Sequence, residues 1–241
     1  VLAGYLLCML IMIFSEPASS TNIKKIIKTL ALLFGQIALL LTLSRTSILL
    51  SIILLSTAIL IKIKNSAKKK LPLILATLFI TILTLTLLQY TPALTRLKET
   101  TLTEQSFTQR IELFKNSLTL IIAHPLFGVG LGNYLPSVAT IQKPLPSILY
   151  IQPVHNIFLL LTAEIGIIGL LFALAFLYKT YQRLKSPPAD NRKNTLLIIL
   201  SSMLALGLFD HYWLTLQQGQ LLLAIILGLC WASIKTDTIK K

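Results

Sequence analysis

Apolar runs of nearly membrane-spanning length recur along this chain and constrain its fold more than any other feature. A helix of about 20 residues crosses the hydrocarbon core of a bilayer. Only 12% of the residues are charged, whereas a soluble domain carries about 25%. The sequence therefore predicts an all-α integral membrane protein, a polytopic helical bundle with about seven visible spans. The predicted spans cover about residues 1–14, 29–43, 46–61, 71–90, 155–177, 195–209 and 213–234.

Lysine and arginine are concentrated in the loops that the span pattern places on one side. Loops 22–28, 62–70 and 178–194 and the C-terminal tail hold most of the 22 basic residues. The positive-inside rule predicts that this side is cytoplasmic. The net charge of +14 therefore does not indicate nucleic acid, because no basic stretch is interleaved with aromatic residues.

The chain divides into three regions on this interpretation. We predict transmembrane helices in 1–90, an extracytoplasmic loop in 91–154, and transmembrane helices with a cytoplasmic tail in 155–241. Because the chain starts within an apolar run and lacks the basic region and cleavage site of a signal peptide, we expect it to be the C-terminal part of a longer protein. Cys8 and Cys230 lie in apolar runs and predict neither a disulfide nor a metal site.

The outer loop contains a predicted amphipathic helix at the membrane interface. Ser106 with Gln109 three residues later predicts the helix start. Helical spacing then places four apolar residues on one face, and Pro125 favours the helix end. Three glycines predict a tight turn after that proline. The apolar residues are Ile111, Phe114, Leu118 and Ile121, and the glycines are Gly128, Gly130 and Gly132.

Two arginines are candidates for binding an anion. Arg45 lies between two apolar runs, where a charge is costly and rare. Arg110 lies near the start of the predicted loop helix, and arginine binds phosphate through two parallel hydrogen bonds. The alternatives are an interfacial arginine that snorkels, for Arg45, and an ordinary surface ion pair, for Arg110.

Histidines and carboxylates supply the candidates for proton transfer. His155 opens a predicted span at the outer surface, and histidine titrates near neutral pH; the alternative is a polar residue at a helix start. His124, before Pro125, fits a structural or substrate-contacting role. Glu164 within a span favours a hydrogen bond to a neighbouring helix. For the Asp210-His211 turn we favour a structural role over lining a site.

Three sequence blocks together resemble the O-antigen ligase and polymerase superfamily, over roughly residues 30–234. The first block is Ser44-Arg45 at a helix junction. The second runs from Arg110 through HPLFGVGLGNY to Tyr134. The third is His155-Asn156 followed by AEIGIIGLL at 163–171. The blocks occur in the order found in the family, although the family usually has more spans than this chain shows.

The resemblance implies a metal-independent, inverting glycosyltransferase of the bacterial inner membrane, with its active site on the extracytoplasmic face. The implied donor is a glycan on undecaprenyl pyrophosphate, and the acceptor is a hydroxyl of a lipid core, a growing glycan or a protein. Arg45 and Arg110 correspond to family arginines that contact the pyrophosphate, and His155 to the essential loop histidine. No cofactor and no nucleic acid is implied, and His124, Asn156, Glu164 and Asp210 are possible supporting residues.

Two other classes stay open at this point. A transporter or flippase of lipid-linked glycans would have the same spans and basic outer residues without covalent chemistry, and discontinuous helices would favour it. A non-catalytic receptor or assembly subunit would not require Arg45, Arg110 and His155 to meet. The sequence does not separate a ligase from a polymerase.

Overall fold

The structure, a computed structural model, describes residues 2–15, 21–42, 44, 47–48, 50–52, 104–141, 152–188 and 190–232. The described residues form helices and no strands, which confirms the predicted all-α class. The predicted span 71–90 lies outside the described residues. The helices are α1 (Leu2–Ser15), α2 (Asn22–Leu41), α3 (Glu104–Ala123), α4 (Tyr134–Ile141), α5 (Ile157–Lys185), α6 (Asn191–Gly207), α7 (Tyr212–Thr215) and α8 (Gln217–Trp231).

Helix α5 is the one described helix that is long and apolar enough to cross a membrane. Its 29 residues begin at Ile157, after Asn156 as N-cap, and continue to Lys185 beyond the predicted end at residue 177. Helices α1 and α8 are apolar but shorter, with 14 and 15 residues. The count of seven spans therefore stays a prediction.

The ends of α5, α6 and α8 meet in an up-and-down arrangement. Trp213, Met203 and Ile226 are buried in the core that these helices share with α1. At one end, the Arg183 side chain donates hydrogen bonds to the carbonyls of Cys230 (3.3 Å) and Trp231 (3.1 Å), which ties the C-termini of α5 and α8 together. The start of α5 and the turn after α6 lie at the other end, as the predicted alternation of spans requires.

Helices α3 and α4 pack against the first half of α5. Leu113, Ser117 and Leu120 form the buried side of α3. The Ser117 hydroxyl lies 2.6 Å from the Tyr134 hydroxyl, which joins α3 to α4 inside this core. Helix α3 starts at Glu104 and includes Ser106, so the predicted capping box at Ser106 was wrong, whereas the end before Pro125 is confirmed. Ile111, Phe114 and Leu118, from the predicted apolar face, are exposed.

Helix α5 is broken at Gly166, where the loop between α3 and α4 packs into the gap. Gly166 has φ 68° and ψ −177°, a conformation that favours glycine. A Cβ atom there would collide with the backbone of Leu126 and Phe127. Four backbone hydrogen bonds join the loop to the break: Val129 N to Ala163 O (2.9 Å), Gly130 N to Glu164 O (2.8 Å), Ile167 N to Pro125 O (2.9 Å) and Ile168 N to Leu126 O (3.3 Å).

The predicted glycine turn is confirmed, because all three loop glycines have positive φ. The angles are 69° at Gly128, 98° at Gly130 and 76° at Gly132. Gly128 packs directly against the carbonyls of Ala163 and Glu164. The loop that contains Gly128, Gly130 and Gly132 and the part of α5 around Gly166 thus pack against each other through their backbones.

Candidate active site at the start of helix α5

His155 lies immediately before α5, beside the turn that follows α6. Its side chain is 27% exposed, and Nδ1 lies 3.7 Å from Oδ1 of Asp210. That separation is within ion-pair range but longer than a hydrogen bond. The buried Nδ1 atom makes no hydrogen bond with the described residues. A small movement of either side chain would let Nδ1 donate to the carboxylate.

Asn156 holds the two parts of the site together. Its Oδ1 accepts hydrogen bonds from the backbone N–H groups of Phe158 (2.9 Å) and Leu159 (3.0 Å), which caps α5. Its Nδ2 donates to the carbonyl of Leu208 (3.2 Å), in the turn after α6. One side chain therefore fixes both the start of α5 and the position of the Asp210 turn relative to His155.

Asp210 is held as a carboxylate by its neighbours. Burial alone would raise its pKa, but its contact with His155 and the N–H of His211, which donates to Oδ1 at 2.8 Å, outweigh burial and lower the pKa below its ordinary value. Asp210 is thus negatively charged at neutral pH. The expected turn between two helices is confirmed here, and the structure adds the approach to His155.

His211 is a second histidine at this site, which the sequence analysis assigned a structural role. Its ring centroid is 5.0 Å from that of His155. The Thr215 hydroxyl donates to the His211 carbonyl (3.2 Å) and lies 2.7 Å from Nδ1, so it can accept from an Nδ1–H group. Burial and the neighbouring His155 lower the pKa of His211, although Asp210 opposes them. His211 is therefore neutral at neutral pH.

His155, Asp210 and His211 carry the types of atom that bind metals. Their potential ligand atoms all lie within 4.8 Å of one another. Imidazole nitrogens and a carboxylate oxygen are ligands that zinc accepts, so this group of residues could hold a metal ion as well as take part in proton transfer.

Glu164 has the helix contact that the sequence analysis favoured. Its Oε1 accepts a hydrogen bond from the backbone N–H of Tyr134 (3.4 Å), the first residue of α4. A carboxylate at a helix N-terminus is stabilised by the unpaired N–H groups there. Glu164 therefore belongs to the contact between α4 and α5, and it lies two residues before the break at Gly166.

Of the remaining predicted site residues, the structure describes Arg110 and His124 but not Arg45. Arg110 is exposed on α3 and makes no hydrogen bond or ion pair with the described residues. His124 is exposed, and its carbonyl accepts from the N–H of Gly128 (3.0 Å). Arg45 lies outside the described residues, although α2 ends at Leu41 and Ser44 is non-helical, as the predicted helix junction requires.

Sequence reasoning could not find the pairing of His155 with Asp210. The two residues belong to separate predicted spans, and no spacing along the chain relates them. The available signal was topological: both residues fall at the outer ends of spans. His211 also falls at the outer end of a predicted span, whereas nothing in the sequence pointed to Thr215.

Comparison with known proteins identifies the family. A family model described as O-antigen ligase matches residues 29–174, more than half of the 241-residue chain. The match includes Arg45, Arg110, the loop that packs against Gly166, and His155, and it ends before the Asp210 turn. No functionally curated protein gave a match. The chain therefore belongs to the O-antigen ligase family of membrane glycosyltransferase-like enzymes.

Proposed function

We propose that this protein transfers a glycan from undecaprenyl pyrophosphate to an acceptor hydroxyl, with inversion at the anomeric carbon and without a metal ion. The observation that carries the proposal is the His155–Asp210 pair at the end of the apolar helix α5. A proton acceptor at this position is at the height of a lipid headgroup. The acceptor hydroxyl belongs to a lipid core, a growing polysaccharide or a protein, on the extracytoplasmic face of the bacterial inner membrane.

The pair has the parts of a general base. Asp210 is ionised and faces Nδ1 of His155, so it favours the tautomer with the proton on Nδ1 and leaves Nε2 as the base. Nε2 takes the proton from the acceptor hydroxyl as its oxygen attacks the anomeric carbon. The bond between that carbon and the pyrophosphate oxygen breaks, and its electron pair leaves with the lipid pyrophosphate. Hydrogen bonds in an empty site are often long and shorten when substrate binds.

Arginines are the proposed partners of the pyrophosphate. Arg110 is exposed on α3, and in this proposal its N–H donors bind phosphate oxygens. Arg45 is proposed for the same role from the family resemblance. Two guanidinium groups would stabilise the charge that develops on the leaving pyrophosphate. Pyrophosphate is a good leaving group, so the proposed reaction needs no strong acid and no metal.

A transporter of lipid-linked glycans is the second candidate, because α5 is discontinuous and Glu164 lies beside its break. In transporters, the backbone groups freed by a break are used by the substrate or ion. Here the loop occupies them: Ala163 and Glu164 accept from loop N–H groups, and Ile167 donates to a loop carbonyl. The break therefore supports packing of the loop better than it supports a transport site.

The test uses the full-length protein in liposomes with an undecaprenyl-pyrophosphate-linked glycan and candidate acceptors. Glycan transfer and release of lipid pyrophosphate are measured for the wild type, His155→Ala and Arg110→Ala. Lys115→Ala is the matched control, since Lys115 is an exposed cation on the same helix as Arg110. We expect His155→Ala to lower the transfer rate about 10²–10⁴-fold and Lys115→Ala to leave it unchanged. Near-full activity of His155→Ala would remove His155 from the mechanism, and glycolipid movement without transfer would favour the transporter.

A further inference from the structure

We propose that His155, Asp210 and His211 form a binding site for Zn²⁺, and that a bound zinc ion inhibits glycan transfer. Binding of the ion does not rest on the proposed reaction, whereas the inhibition does. The ion acts as an inhibitor in this proposal and not as a cofactor, because it occupies the same pair of side chains that the reaction uses for proton transfer.

The spacing of the three side chains is close to that of zinc ligands. Each side chain offers one ligand atom, and these atoms all lie within 4.8 Å of one another. Atoms bound to one tetrahedral zinc ion at about 2.1 Å lie about 3.4 Å apart. His155 Nδ1 and Asp210 Oδ1 are already 3.7 Å apart. A shift of at most about 1.4 Å, shared between two side chains, brings the widest pair to the same separation.

The Nδ1 atom of His155 gives a second, independent indication of a ligand. This atom is buried and makes no hydrogen bond with the described residues. Its distance to Asp210 Oδ1 is longer than a hydrogen bond. A buried polar atom without a partner is disfavoured. A zinc ion between Nδ1 and the carboxylate would give both atoms a partner, since their separation fits two ligands of one ion better than a direct hydrogen bond.

Thr215 determines which nitrogen of His211 is able to bind the ion. The Thr215 hydroxyl has one hydrogen atom, which it donates to the His211 carbonyl at 3.2 Å. His211 Nδ1 lies 2.7 Å from the same hydroxyl oxygen, so Nδ1 carries the ring proton and donates it. Nε2 therefore keeps its lone pair. Histidines that bind metals usually donate their other ring N–H to an oxygen atom in this way, which fixes the ring.

The ligand types and the exposure of the site favour zinc over the common divalent cations. Two imidazole nitrogens and one carboxylate oxygen suit Zn²⁺, whereas Mg²⁺ and Ca²⁺ prefer oxygen ligands alone. The side chains of His155 and Asp210 are 27% and 39% exposed, so an ion can enter from water. Three protein ligands leave one position of a tetrahedral ion open, and a water molecule can fill it.

A zinc ion at this site would block the proposed base. In the proposed reaction, His155 keeps its proton on Nδ1 and accepts another proton on Nε2. An ion bound to Nδ1 uses the lone pair of that nitrogen, so the neutral ring must carry its proton on Nε2. Nε2 then donates a hydrogen bond and cannot accept the proton of the acceptor hydroxyl. Asp210 is occupied by the same ion, so zinc should lower the transfer rate.

The experiment measures zinc binding to the full-length protein in detergent, purified with a tag that contains no histidine. Zn²⁺ is titrated in competition with a chromophoric chelator, for the wild type, His155→Ala, His211→Ala and Asp210→Asn. His124→Ala is the matched control, since His124 is the remaining histidine of this sequence and is exposed outside the group. Thermal unfolding without metal checks that each variant is folded.

We expect each of the three site variants to weaken zinc binding at least about 10-fold, a loss that even a residue supporting a metal ligand can cause. His124→Ala should keep the wild-type affinity, and Mg²⁺ at the same concentration should not displace the zinc. Wild-type affinity in His155→Ala or in His211→Ala would overturn the site. An equal loss in His124→Ala would also overturn it, because the zinc would then not be specific to this group.

Transfer assays in liposomes test the inhibition separately from binding. Zn²⁺ should lower the wild-type transfer rate, and a chelator should restore it. Zinc that bound only the donor pyrophosphate would inhibit His211→Ala as strongly as the wild type, relative to each protein's rate without zinc, and would overturn inhibition at this site. A rate that rises with zinc would overturn it too. If the proposed reaction is wrong, no transfer occurs with or without zinc, and the binding titration still decides whether the site exists.

Discussion

His155 and Asp210 are brought together from the ends of two different helices, with Nδ1 and Oδ1 separated by 3.7 Å. The side chain of Asn156 spans the same junction, since it caps α5 and donates to Leu208. Close approach of Gly207 to the Ile157 side chain leaves no room for a larger residue between α6 and α5. The geometry of the pair is therefore determined by how these helix ends pack.

Replacement of Asp210 tests whether this geometry matters for the reaction. Asp210→Asn removes the charge that favours the Nδ1–H tautomer of His155, so we expect the transfer rate to fall by about 10–10³-fold, less than for His155→Ala. Asp190→Asn is the matched control: Asp190 caps α6 at the opposite end, and asparagine caps equally well. Equal losses in both variants would contradict a role specific to Asp210.

The sequence predicted those features that depend on local pattern. The length of the apolar run predicted α5, Pro125 predicted the end of α3, and the three loop glycines predicted a tight turn. His155 was placed at the start of a helix, one residue before the Asn156 cap. These features depend on residues that are close in the chain, so periodicity and turn chemistry were sufficient.

Contacts between distant segments were beyond this kind of reasoning. The break at Gly166 was missed because IGIIGLL has the pattern of an uninterrupted apolar helix, and the loop that fills the gap comes from a separate block. The pairing of His155 with Asp210 was missed because a span pattern fixes the ends of helices but not which ends are neighbours. Both are tertiary contacts, which override local preference.

Asn156 provides a test that separates stability from positioning. Asn156→Ala should lower the free energy of unfolding by about 1 kcal/mol, the usual effect of losing an N-cap, and should also reduce transfer because the tie to Leu208 is lost. Asp190→Ala removes the cap of α6 and should destabilise by a similar amount without reducing transfer. Asn156→Ser retains a capping oxygen but cannot reach Leu208 as the amide does. Thermal unfolding and transfer rate, measured on all three variants, distinguish the two effects, and full transfer activity in Asn156→Ser would argue against the positioning role.

Three glycine-to-alanine variants should rank in stability by conformation and by available space. Gly228 is helical and has no neighbouring atom within 4 Å of the point where an alanine methyl group would lie, so alanine should be neutral or stabilising by up to about 1 kcal/mol. Gly132 has the same free space but φ 76°, so alanine should cost about 1–3 kcal/mol. Gly166 adds contact with the Leu126 backbone to φ 68°, and alanine there should cost more than at Gly132. Denaturation in detergent checks the order, and a stable Gly166→Ala protein would contradict the described contact between loop and helix.

The pKa of His211 should depend on the groups that surround its ring. Its lowered pKa means that the folded protein binds a proton at His211 less readily than the unfolded chain does. In the unfolded chain the pKa of a histidine is about 6.5. Stability should therefore decrease as the pH falls from about 6.5 towards the lowered value, because the unfolded state takes up the proton first.

Asp210→Asn removes an anion that favours the imidazolium and should lower the pKa of His211 further. His155→Gln removes the neighbouring imidazole that lowers the pKa of His211 and should raise that pKa. NMR of histidine-labelled protein in nanodiscs, with the signal assigned by His211→Gln, measures both shifts, and movement of the two variants in the same direction would contradict the arrangement of charges at the site.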